Sequence, residues 1–140
     1  MRSPLRKALL GCALSLGAVG LLAAAGPALL GSYHAGVGAR QIDAALQPVF
    51  AYRLAPEQIV DGPALSSGIA HLQTALRYDA DNIHARRLLA RAYVSTGDLE
   101  AAQQTLEQAM EISSNPILRL ELADVLDLQG EPAIELYEQG

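Results

Sequence analysis

The chain has very few aromatic residues and a single cysteine. Among its 140 residues there is no tryptophan and only one phenylalanine, although 51% of the residues are hydrophobic. Alanine and leucine therefore supply the apolar surface, which suits close helix packing better than a β-sandwich. One cysteine cannot form an internal disulfide bond. These deficits favour a small all-α protein, and the length is that of one domain.

Basic residues are fewer than acidic ones, 10 against 15, and three of them lie at the N-terminus. The formal net charge is −5 at pH 7, which argues against nucleic acid as a partner because nucleic-acid-binding domains present a basic face. Residues 1–7 nevertheless hold three basic side chains and no acidic one. We expect this segment to be a basic tail on the cytoplasmic side of a membrane.

Residues 8–30 contain no charged side chain at all. As a helix, this segment would span roughly 34 Å, more than the roughly 30 Å of a hydrocarbon core. We predict a single transmembrane helix in contact with membrane lipid, anchored in the cytoplasmic (inner) membrane, with the rest of the chain on the periplasmic or extracellular side. A cleaved signal peptide is the alternative, because Ala23-Ala24-Ala25 resembles a small-residue cleavage site.

Small residues recur at helical spacing within this segment. They fall on one helical face, where they would let a second transmembrane helix approach closely. This stripe predicts packing against membrane-embedded subunits, although a segment rich in alanine and glycine also produces such stripes by chance. The residues concerned are Ala13, Gly17, Gly20 and Ala24.

The next residues are predicted to connect the anchor to a helical domain over 41–140. Residues 31–40 contain several glycines and are expected to form a tether, with Tyr33 and His34 at the membrane interface. An amphipathic helix is expected next, disturbed by Pro48. Its apolar residues are Ile42, Leu46, Val49 and Phe50.

The clearest helical pattern lies between Asn82 and Pro116. Asp81 or Asn82 can cap a first helix, Gly97 can end it, and Asp98 can cap a second one. Because the turn is so short, the two helices are expected to form an antiparallel hairpin. Apolar and small residues follow three- and four-residue steps on both helices: Ala85, Leu88, Leu89, Ala92 and Tyr93, then Leu99, Ala102, Leu106, Ala109 and Met110.

This hairpin resembles a tetratricopeptide repeat, a helix pair of about 34 residues. Leu89, Tyr93, Gly97, Ala102 and Ala109 fit the signature of the family, whereas Arg86 and Ala90 depart from it. One repeat length upstream, residues of the same size class recur in a helix expected over about 64–78. The aligned pairs are Leu65 with Leu99, Gly68 with Ala102, Leu72 with Leu106, and Ala75 with Ala109.

Further helices are expected downstream of the hairpin. Asn115-Pro116 can start a helix that Gly130 ends, and a last helix would follow, with Ile134 and Tyr137 exposed. The resemblance implies an all-α fold: a short α-solenoid of antiparallel helix pairs, preceded by the transmembrane helix.

The same resemblance implies a binding groove. In this family the first helix of each repeat lines a concave surface, and the matching positions here are His84, Arg87, Arg91 and Val94. Arginines at such positions can hold the carboxylate of a protein partner in two-point hydrogen bonds. The alternative is a solvated basic face that balances nearby glutamates, namely Glu100, Glu107 and Glu111.

No pattern in the sequence indicates catalysis, a cofactor or a metal. His71 and His84 have no Cys/His cluster around them, and Asp79-x-Asp81-Asn82 does not continue as a calcium loop. We therefore expect a protein that is not an enzyme, scaffolding protein partners as an accessory or assembly subunit of a membrane complex. A non-catalytic part of a cell-envelope enzyme system, or a secreted soluble adaptor, is the alternative.

Overall fold

The structure is a computed structural model that describes residues 4–47, 53–130 and 133–138, with side chains from residue 25 onward except at 135 and 136. Within these ranges the chain is almost entirely helical. The elements are α1 (Pro4–Ala45), β1 (Leu46–Gln47), β2 (Gln58–Ile59), α2 (Gly62–Tyr78), α3 (Ile83–Thr96), α4 (Leu99–Ile112), α5 (Pro116–Gln129) and α6 (Ile134–Glu138).

Helix boundaries from α3 to α5 lie where local sequence signals predicted them. Asn82, Asp98 and Asn115 each accept a backbone N–H from the first turn of the following helix, which satisfies a donor that has no partner within the helix. Gly97 and Gly130 end α3 and α5 with φ values of 80°, a left-handed conformation that other residues adopt at a cost. The predicted α3–α4 hairpin is therefore confirmed.

Residues 31–40 are helical in the structure, and the predicted tether is wrong. α1 continues without a break to Ala45, and its second half packs along α2. The glycines allow close approach: a Cβ added to Gly38 would lie 2.8 Å from Cγ of Leu72, and one added to Gly68 would lie 2.9 Å from Cδ1 of Ile42. Glycines that resemble a flexible linker are thus the contact surface between two helices.

Histidines also join α1 to α2. Nδ1 of His34 lies 2.8 Å from Nδ1 of His71, and the ring centroids are 5.0 Å apart. Tyr78 stacks on His34, while Tyr33 is exposed. His71 is therefore a half-buried partner in a helix–helix contact and His84 an exposed surface residue.

The helix predicted around residues 42–50 ends early. α1 stops at Ala45, and Leu46 pairs with Ile59 in a two-residue antiparallel bridge between β1 and β2. Gln47 precedes Pro48 in the sequence, and a proline disfavours the helical conformation at the residue before it. Val49 and Phe50 lie outside the described residues.

Two apolar clusters form a continuous core. One joins α1, α2 and α3, the other joins α3, α4 and α5, and Tyr93 of α3 contacts both. The residues of α2 that align with α4 are all buried: Leu65, Gly68, Leu72 and Ala75. Their counterparts Ala102, Leu106 and Ala109 in α4 are buried as well, whereas Leu99, the counterpart of Leu65, is half-buried. This arrangement is consistent with a short α-solenoid, in which α1 takes the place of the first helix paired with α2.

Among the residues that the structure describes, no helix is both long and apolar enough to cross a bilayer. Most of the segment predicted to be transmembrane, 8–30, has side chains outside the described set. The same holds for the predicted helix-packing residues Ala13, Gly17, Gly20 and Ala24.

Candidate partner-binding cleft

Basic side chains of α3 line a cleft beside α5. His84, Arg87 and Arg91 contribute to one cavity of about 220 Å³, together with Leu54 and Glu121. His84 is exposed, and the two arginines are half-buried. The structure therefore brings three of the four predicted groove residues together.

Val94 does not line this cleft. Its side chain is only 1% exposed and packs in the core with residues of α4 and α5. Ala90, buried in the same cluster, precedes Val94 by four positions, so both side chains lie on the core-facing side of α3. Its predicted place in the groove is wrong.

Arg87 already holds a carboxylate of its own chain. Its Nε donates to Oε2 of Glu121 at 2.9 Å, and its Nη2 donates to Oε1 at 2.5 Å. These hydrogen bonds raise the pKa of Arg87, while partial burial works in the opposite direction. The pair links α3 to α5 at positions that are 34 residues apart in the chain.

Arg91 holds two further carboxylates. Its Nε and Nη2 donate to the two oxygens of Glu57 at 2.6 and 2.8 Å, and its Nη1 donates to Asp43 at 2.8 Å. The Glu57 hydrogen bonds are the main cause of a raised pKa at Arg91. The glutamates proposed to balance these arginines were Glu100, Glu107 and Glu111, but the partners are Glu121, Glu57 and Asp43.

Glu57 belongs to an extended segment that crosses the cleft. We call residues 53–57 the strap; they form neither helix nor strand. The backbone N–H of Leu54 donates to Oδ2 of Asp124 at 2.7 Å, and the N–H of Glu57 donates to Oγ of Ser95 at 3.2 Å. Leu54 packs against the α3–α5 core cluster. The strap is therefore held by side chains of both helices.

Asp124 anchors the other end of the strap. Asp124 is only 5% exposed, and its carboxylate accepts hydrogen bonds from Nε of Arg53 at 2.7 Å and from the Leu54 amide. The hydroxyl oxygen of Tyr137 lies 3.0 Å from its Oδ1. The two N–H donors satisfy both oxygens of this buried carboxylate, which would otherwise be costly to bury. Asp124 is not among the residues predicted from the sequence; its signal there is an acidic residue between the apolar Ala123 and Val125.

Tyr137 and Asp127 complete this end of the cleft. The tyrosine hydroxyl donates to Oδ2 of Asp127 at 2.7 Å, and Arg53 donates to the same oxygen at 2.7 Å. The Tyr137 hydroxyl, followed by Arg53, lowers the pKa of Asp127, while burial and the two aspartates raise the pKa of Tyr137. Tyr137 is therefore a packed residue, against the prediction of an exposed one, whereas Ile134 is exposed as expected.

Open volume remains beside the strap. A cavity of about 370 Å³ lies between the strap, Arg87, Arg91 and α5, and another of about 390 Å³ lies between Arg53, α5 and Tyr137. Ile117 and Leu120 of α5 line the first one and are 43% and 37% exposed. The site thus offers apolar surface between the ion pairs of Arg87 and Arg91 and those of Asp124 and Asp127.

Metal ligands are not grouped in the described part of the chain. There, no cluster of three or more His, Cys, Asp or Glu side chains could hold a metal ion.

One comparison with known proteins matches the region that builds this cleft. Residues 64–116 match the tetratricopeptide repeat family. The matched stretch comprises nearly all of α2, the α3–α4 hairpin and the start of α5, so it supports the repeat that the buried small residues indicate. No curated protein and no solved structure gave a match. Tetratricopeptide repeats are protein-interaction modules, and the match supports a scaffold for protein–protein interaction.

Proposed function

We propose that this protein is a membrane-anchored scaffold that holds a protein partner, as an accessory or assembly subunit of a membrane complex in the cytoplasmic (inner) membrane. The tetratricopeptide repeat match over 64–116 carries the scaffold part of the proposal. The uncharged segment 8–30 behind a basic tail supports the anchor, with the helical domain on the periplasmic or extracellular side. No catalytic role is assigned to the chain.

The cleft supports binding rather than chemistry. Its charged residues are held in ion pairs within the chain, so a partner's charges would bind here by replacing those pairs. A scaffold tethered to a membrane also meets partners in the same membrane at a high effective concentration. The proposed partners are therefore membrane-embedded subunits.

Fractionation of cells that express the full chain tests the anchor. We expect the protein in the membrane fraction after a carbonate wash, with an intact mass that includes residues 1–30. A soluble protein that lacks these residues would instead identify a secreted adaptor, released by cleavage near Ala23-Ala24-Ala25.

Purification in mild detergent, followed by mass spectrometry, tests the scaffold. We expect defined membrane proteins to co-purify with the wild type, and less of them with Arg91→Gln. Arg77→Gln is the matched control, because Arg77 is an exposed arginine of α2 that does not line the cleft. Equal recovery of partners with both variants would contradict a role for the cleft, and an enzyme activity in the complex would favour the envelope-enzyme alternative.

A further inference from the structure

We propose that the strap is an intramolecular ligand, and that a partner binds by displacing it with an extended segment of similar chemistry. That segment would carry a basic residue, an apolar residue directly after it and a carboxylate three positions later, as Arg53, Leu54 and Glu57 do. This inference rests on the proposed scaffold function and specifies which partner chemistry the cleft accepts.

The strap is held as a bound peptide is held. The amides of Leu54 and Glu57 donate to side chains of α5 and α3, Asp124 and Ser95, and the strap itself contains neither helix nor strand. One apolar side chain, Leu54, packs against the core cluster. Main-chain hydrogen bonds with a pocket for an apolar side chain are a common way of recognising extended peptides.

Charge sets the direction in which a ligand can lie. Asp124 and Asp127 bind the arginine at the N-terminal end of the strap, and Arg91 binds the glutamate at its C-terminal end. A segment of opposite polarity would place an acid beside two aspartates and a base beside arginines, which is unfavourable. The cleft therefore selects a basic–apolar–x–x–acidic order.

The strap has the properties of a replaceable occupant. The ion pair between Arg53 and Asp127 is exposed at both partners, 58% and 41%, and such pairs contribute little to stability. The cavity of about 370 Å³ beside the strap, with Ile117 and Leu120 on its wall, gives an incoming segment apolar surface to contact first. Local opening of such a segment requires less free energy than global unfolding.

A peptide copy of the strap tests displacement. The probe is a labelled synthetic peptide with the sequence of the strap and the three residues after it, 53–60, Arg-Leu-Ala-Pro-Glu-Gln-Ile-Val. It is titrated into the full-length chain in mild detergent. The wild type should bind it weakly, because the strap competes at high local concentration. The double variant Arg53→Ala/Glu57→Gln should bind it about tenfold more tightly or better.

Matched controls define the site. The same peptide with glutamine in place of its glutamate should lose affinity, and so should the wild-type peptide toward a triple variant that adds Arg91→Gln to the double variant. Equal affinity of the peptide for the wild type and the double variant, or binding that ignores Arg91→Gln, would overturn the proposal.

Amide hydrogen exchange tests displacement in the unaltered chain, so that the result does not depend on whether a variant folds. In the unaltered isotope-labelled chain, we expect the amides of Leu54 and Glu57 to exchange at least about tenfold faster than those of Leu89 and Leu106 in the core. Unlabelled peptide should accelerate the strap amides further and leave the core amides unchanged. Strap amides that exchange only at the global unfolding rate would show that the strap does not leave the cleft.

The two proposals fail in different ways. Recovery of the chain in the soluble fraction contradicts the membrane scaffold but leaves the peptide titration valid. A peptide that does not bind, in a chain that still captures membrane partners, contradicts displacement of the strap alone.

Discussion

Glu57 of the strap and Arg91 of α3 are joined by two hydrogen bonds of 2.6 and 2.8 Å and lie 34 residues apart. Arg87 and Glu121 show the same separation between α3 and α5. Residues one repeat length apart are neighbours in a stack of tetratricopeptide repeats. Glu57 thus stands where the first helix of a preceding repeat would lie, although its backbone is extended and α1 supplies the helix paired with α2.

The Glu57–Arg91 pair is expected to stabilise the fold measurably. Both side chains are largely buried, 13% and 21% exposed, so Arg91→Met leaves the carboxylate of Glu57 without its two-point donor and should cost about 1–3 kcal/mol of unfolding free energy. Urea unfolding followed by circular dichroism measures the loss. The double variant Glu57→Gln/Arg91→Met should lose less than the sum of the single variants, and strict additivity would argue against a direct pair.

Gly38 should not tolerate a larger residue. The Cβ of Gly38→Ala would lie 2.8 Å from Cγ of Leu72 and 3.1 Å from the carbonyl oxygen of Gly68, so we expect a loss of about 1–3 kcal/mol in unfolding free energy from overpacking. Gly36→Ala is the matched control on the same helix, because a Cβ there meets nothing within 4 Å. Alanine at this second position should be neutral or stabilising by up to about 1 kcal/mol. Similar effects of both variants would contradict close packing of α1 on α2.

Asp124 should matter more for stability than Asp127. Asparagine at position 124 keeps one acceptor oxygen but turns an NH₂ group toward groups that donate, so we expect a loss of about 1–3 kcal/mol. Asp127→Asn should cost less, because the Asp127 side chain is 41% exposed, against 7% for Asp124. Chemical unfolding of the two variants compares them directly, and the reverse order would show that Asp124 is not the anchor of the strap.

Acid should weaken the attachment of Tyr137 to α5. The Tyr137 hydroxyl and Arg53 hold the pKa of Asp127 below its ordinary value of 3.8, so this contribution to stability is complete above that value and is lost as pH falls through the lowered pKa of the folded state. Carboxyl-carbon NMR of Asp127 follows the titration. In Tyr137→Phe the midpoint should move up toward 3.8, and an unchanged midpoint would contradict the hydrogen bond.

Local signals made much of the fold predictable. Asn82, Asp98 and Asn115 are caps, and Gly97 and Gly130 terminate helices, because these roles depend on residues within one turn. The repeat was also recognisable from buried small residues at a constant separation. These features need no knowledge of distant contacts.

The tether and the cleft could not be predicted in the same way. Glycines such as Gly38 serve either a flexible linker or a close helix contact, and the facing residue, Leu72, decides between them. The strap depends on partners far along the chain, since Leu54 and Asp124 are 70 residues apart. The arginines were identified as carboxylate-binding residues, but their partners within the chain had no local signature.

The continuity of α1 has a mechanical consequence. A helix resists bending and twisting except where an internal proline removes a backbone hydrogen bond. After Pro27, α1 runs without another proline to Ala45, and this stretch packs on α2 through the glycine contacts. Tilting or turning the stretch after Pro27 would therefore exert torque on the stack of helices to which it is fixed. If residues 31–40 were a flexible linker, the same motion would not be transmitted to Arg91 and the strap.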